Sequence, residues 1–168
     1  MEPRLADGRL AAMQRPWRLD RRLAALLFTV LLAACNGASV LPVTGPLVTV
    51  TMHGGLCATV PCDSSVILDA DGHVHAAAKP PNDLGQVPPN VMATLTAAIA
   101  ATDFAALRSH PFTGQCPVAV DGQELIFEFA LASGTQRIAS CEVDIDWASP
   151  VFIALAAALA QWVPMPVT

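Results

Sequence analysis

The side chains best suited to chemistry cluster in four short stretches of the 168-residue chain. His73-x-His75 puts two imidazoles on one face of an extended segment, with Asp69 and Asp71 just before them and His53 further upstream. Zn²⁺ or Cu²⁺ accepts such nitrogens, and a closed site needs a third and usually a fourth ligand. Asp69-x-Asp71-Gly72 offers carboxylates before a glycine, without the third oxygen and the bidentate Glu of a calcium loop. The plainer expectation for both is a polar hairpin, with Gly72 supplying the positive φ of its turn. Glu142, Asp144 and Asp146 alternate with aliphatic residues, a pattern that invites a paired-carboxylate hydrolase reading, but no second acidic cluster faces them at a set spacing. Ser109-His110 are neighbours in the chain, and no Gly-x-Ser-x-Gly turn is present. No cofactor and no enzymatic activity are therefore expected.

The cysteines give the firmest chemistry. Cys35 closes the run Leu31-Leu32-Ala33-Ala34-Cys35, which resembles the lipobox of a bacterial lipoprotein. Small residues let a peptidase hold the backbone near the scissile bond, and the thiol alone can become a thioether to diacylglycerol. Arg15, Arg18, Arg21 and Arg22 form a positive segment ahead of an apolar run, Leu23 to Ala34, too short to span a bilayer. Residues 1–34 are accordingly expected to be a signal peptide, with Met13 as an alternative start. The resemblance implies fatty acylation of Cys35 and a membrane partner held through that lipid. It also implies a place on the extracytoplasmic side of the cell envelope. Asn36 in place of Asp points to the outer membrane of a two-membrane cell.

Export also interprets the other four cysteines, since an even number in an oxidising compartment reads as disulfides. The expected pairs are Cys57–Cys62, clipping a tight loop, and Cys116–Cys141, whose partners a hairpin would bring together. Removing residues 1–34 takes six of nine basic residues and three of fourteen acidic ones, leaving Lys79, Arg108 and Arg137 against eleven carboxylates. Such a surface repels a phosphate backbone, so nucleic acid is not an expected partner.

The elements that would carry these residues are legible from periodicity. Residues 36–46 contain two Gly and two Pro and read as part of a tether covering residues 35–46. Residues 47–52, 65–68 and 73–77 alternate or are β-branched and read as strands. Residues 79–89 read as a Pro-rich surface loop. Residues 89–101 place Val91, Leu95, Ala98, Ile99 and Thr102 on one helical stripe, and Phe104 and Leu107 turn inward after Asp103. Residues 123–131 form the clearest strand, and residues 135–143 return beside it. Ser149-Pro150 opens a last helix with Phe152, Leu155, Ala156, Leu159 and Trp162 on its stripe. The expected fold is α+β: an antiparallel sheet of about five strands covered on one face by two helices, in one domain over residues 47–163, with residues 164–168 as a tail.

Residues 47–108, from Val48–His53 through Gly54-Gly55 to Asp103-Phe104-x-x-Leu107, are similar to emfourin-type domains, small exported inhibitors of metalloproteases. That likeness implies a protein partner and no chemistry. Three functions are thus in view: a non-catalytic, protein-binding envelope lipoprotein, a metal- or small-ligand-binding one using His73 and His75, and a structural envelope component. The loops at residues 54–62 and 79–89 are the expected contact surfaces.

Overall fold

The computed structural model describes residues 44–56, 62–78 and 80–166. The expected signal peptide, Cys35 with its lipid, most of the tether, Cys57 and Lys79 lie outside them. The described residues all belong to one compact unit. No helix among the described residues is long and apolar enough to cross a membrane.

Six antiparallel strands form one sheet: β1 (Pro46–Gly54), β2 (Ser64–Asp69), β3 (His73–Ala76), β4 (Asn82–Gln86), β5 (Gln123–Leu131) and β6 (Gly134–Ala139). Their order across the sheet is β4-β3-β2-β1-β5-β6, so the first strand is central. The helices are α1 (Pro89–Ala101), the short α2 (Phe104–Arg108) and α3 (Pro150–Leu159). The class is α+β as expected, with six strands rather than five. The additional strand is β4, which lies inside the stretch expected to be a loop.

Register makes one face of the sheet the core. Val48 stands between Leu68 and Phe129, Val50 between Val66 and Phe127, with Val74 opposite Leu68 and Ile138 opposite Phe127. All eight are buried. The period of two sends Thr49, Thr51, Ile67, His75, Glu128 and Arg137 to the other face. Onto the apolar face pack α1 through Met92, Leu95 and Ile99, and α3 through Val151, Phe152, Leu155 and Leu159. Phe152 packs edge-on to Phe127, with ring centroids 5.2 Å apart, and Trp147 leans on it at 5.5 Å. Phe104 on α2 meets Phe129 at 5.0 Å. Full burial of rings this size is worth roughly 1.5–3 kcal/mol each.

Two expectations about local structure are corrected here and one is extended. The inward stripe of α1 runs through Leu95 and Ile99 as expected, with Val91 and Ala98 packed partly buried beside it, and Met92 joins it from outside the expected line. The return strand stops at Ala139: the Ala139 carbonyl takes both the Glu142 and Val143 N–H groups, which turns the chain. Helix α3 ends at Leu159, so Trp162 lies beyond it, where its indole Nε1 donates to the Leu84 carbonyl of β4 at 3.1 Å.

Candidate functional site

The His73–His75 hairpin forms as expected. The Gly72 N–H donates to the Asp69 carbonyl at 3.0 Å with Gly72 at φ +92°, and the His73 N–H donates to Asp71 Oδ1 at 3.1 Å. His75 Nε2 is hydrogen-bonded to Asp69 Oδ2 at 3.2 Å, while its Nδ1 is buried without a partner. Together with Asp71, His73 and Asp83 they border an open depression of about 470 Å³. Bordering a depression is not coordination: among the described residues no three His, Cys, Asp or Glu side chains converge to hold a metal ion. His53 is near the far end of β1, opposite Glu124 and 2.7 Å from Asp63 Oδ1.

Glu142, Asp144 and Asp146 are all exposed, with Val143 and Ile145 buried between them. They lie past the end of β6 rather than on a strand, which corrects the expected placing. Glu142 Oε2 accepts from Arg137 Nη1 at 2.7 Å. That hydrogen bond, aided by the field of Glu142, Glu124 and Glu128 and opposed by desolvation, raises the Arg137 guanidinium above its ordinary pKa. Ser109 donates its hydroxyl to the Ala106 carbonyl at 2.7 Å, closing the end of α2. Its hydroxyl is therefore engaged away from His110.

Cys116 and Cys141 form the expected disulfide, with Cα atoms 5.2 Å apart. Cys62 is also disulfide-bonded, and its Sγ lies 3.3 Å from the Gly55 carbonyl oxygen. Its expected partner, Cys57, falls outside the described residues. Both cysteine regions are at one end of the sheet. A 3₁₀ turn, Pro117–Val120, follows Cys116 and packs against the end of β1, where a Cβ on Gly54 would stand 3.0 Å from the Val118 methyls. Asp121 then takes the left-handed conformation at φ 63° and the chain enters β5. Two large apolar side chains protrude here: Leu56 is 85% exposed and Val120 is 64% exposed. Leu56 lies in the loop expected from sequence to be exposed, whereas Val120 carried no sequence signal apart from its closeness to Cys116.

The other expected contact surface, residues 79–89, contains an edge strand. Asn82–Gln86 pairs with β3 through a bulge, Asp83 Oδ1 accepts from the Gly85 N–H, and Trp162 takes the Leu84 carbonyl. These contacts blunt the edge against further pairing.

A groove of about 340 Å³ lies elsewhere, between the end of α1, α2 and the start of α3. Ala98, Ala101, Leu107 and Val151 line it, with Thr102, Asp103, His110, Asp146 and Ser149 as its polar groups. Asp103 Oδ1 caps α2 by accepting the Ala105 and Ala106 N–H groups, and Asp146 Oδ1 accepts the Ala148 N–H. Ser149 is at the N-cap of α3 as expected, yet its hydroxyl makes no capping bond and its Oγ is buried with no partner. Leaving a buried hydroxyl unpaired costs about 1–3 kcal/mol.

No family model matches the chain, and neither the curated proteins nor the solved structures contain a match to it.

Proposed function

We propose that the mature chain is a non-catalytic envelope lipoprotein, held to a membrane by acyl chains on Cys35, that binds another protein through the cysteine-rich end of its sheet. The observation that carries this reading is the exposure of Leu56 and Val120 on loops braced by disulfide-bonded cysteines. Bracing lowers the ordering cost of an interface, and protruding apolar side chains supply its desolvated centre. The geometry of β1 agrees. The strand runs nine residues from Pro46, next to the tether, to Gly54 at the cysteine-rich end, a span of ~30 Å. A lipid leash at one end and a contact surface at the other would raise the effective concentration of a modest binder near its target. The likeness of residues 47–108 to emfourin-type domains makes an exported metalloprotease the first candidate partner.

A photocrosslinking residue placed at Leu56 or Val120 in the full-length protein, in its own cells, tests the proposal. Discrete protein adducts are expected there and not from the same residue at Asp71, on the opposite end of the sheet. The double variant Leu56→Asp, Val120→Asp should lose the adduct formed from a crosslinker at Ala119 while remaining folded and lipidated. Equal adducts from Asp71, or adducts indifferent to the double variant, would overturn it.

A further inference from the structure

We infer that the groove between α1, α2 and α3 is a binding site for a small organic cation, a primary ammonium on a compact apolar body. The inference rests on the groove alone and is independent of the contact surface at the cysteine-rich end. The apolar body is asked for by Ala98, Ala101, Leu107 and Val151, and the volume of about 340 Å³ is at the small end of the range of ligand pockets. The charge is asked for by Asp103 and Asp146. In each, Oδ1 is engaged by backbone N–H groups, and Oδ2 accepts nothing from the described residues. No Lys or Arg lines the groove to compensate them. An ammonium brings three donors and no acceptor, and therefore complements the two carboxylates.

Helix ends decide little against these charges. The α1 end at the groove is C-terminal and partially negative, which favours a cation. The start of α3 is partially positive and opposes one, but it carries roughly half a charge against two full carboxylates. Asp103 already answers the start of α2. An anion would meet both aspartates, and a neutral ligand would leave them unanswered.

The test uses three cyclohexane probes of one shape: cyclohexylamine, cyclohexanol and cyclohexanecarboxylate. Each is titrated at neutral pH into the full-length protein in lipid nanodiscs carrying ¹³C-labelled alanine methyls. Saturable shifts of the Ala98, Ala101 and Ala106 methyls are expected with the amine, about tenfold weaker binding with the alcohol, and none with the carboxylate. Asp146→Asn keeps an Oδ1 acceptor for the Ala148 N–H and should weaken amine binding about tenfold. Ala101→Phe fills the groove from an exposed helix position and should abolish binding even if Asp146→Asn proves unstable. Equal binding of amine and alcohol, preference for the carboxylate, or amine binding that survives Ala101→Phe would each refute the site.

Discussion

Gly72 shows what a single backbone position decides. Its φ of +92° closes the β2–β3 turn, and an added Cβ would stand 3.1 Å from the Val87 carbonyl oxygen and 3.3 Å from Met92 Cγ. Gly72→Ala should therefore cost ~1–3 kcal/mol in urea unfolding, conformational strain and crowding acting together. Gly134 makes the comparison: at φ +113° it has nothing within 4 Å of a built Cβ, so the same change there meets backbone strain alone. A loss at Gly72 no larger than at Gly134 would show that the contacts with Val87 and Met92 carry no weight. The turn was legible from Asp71-Gly72, since few other residues tolerate positive φ. The contacts were not, because Val87 arrives only after β4 has folded back. At the candidate sites the same division holds. Cysteine pairing could be argued from hairpin geometry, while the idle Ser149 hydroxyl could not, because Ser before Pro at a helix start reads as an ordinary cap.

Elements were legible in proportion to how far their own residues determine them. β1, β2, β3, α1 and β5 carry β-branched alternation or a helical stripe, and each lies within two residues of its expected bounds. β4 does not announce itself. Asn82-Asp83-Leu84-Gly85-Gln86 lacks β-branched residues and has Pro80-Pro81 before it and Pro88-Pro89 after it. It is a strand because β3 offers it a ladder and Trp162 holds its outer side. The groove was invisible for a related reason: its alanines come from different elements and converge only in the packed molecule. The 3₁₀ turn and the β6 end depend instead on a covalent brace. Cys116 and Cys141 are 25 residues apart, and closing a loop of that length restricts the unfolded chain by about 3.5 kcal/mol. The double variant Cys116→Ser, Cys141→Ser should lose up to about that much stability. Its hydrogen exchange should quicken first in residues 117–122. Uniformly faster exchange across the sheet would mean that the bond serves the whole domain and does not brace this end in particular.

For the whole molecule, the six-stranded α+β body follows from the residues, but its location rests on a segment beyond the described ones. Cys35→Ala decides that point: fatty-acid labelling should vanish, and the protein should remain uncleaved or leave the membrane fraction. Labelling that persists would remove Cys35 as the point of attachment, and with it the tether of residues 35–46 as the leash. The strand order has one more consequence. β1 is made first yet is central in the finished sheet, and its partner on one side, Phe129 opposite Val48, comes 81 residues later in the chain. Contacts that distant are slow to form. A chain delivered with its N-terminus leading can dress one flank of β1 early, through β2, and must hold the other bare until β5 emerges. For a chain exported as proposed, completion of the sheet is timed by transport, and any pause between the two hairpin units leaves an apolar strand waiting with an open edge.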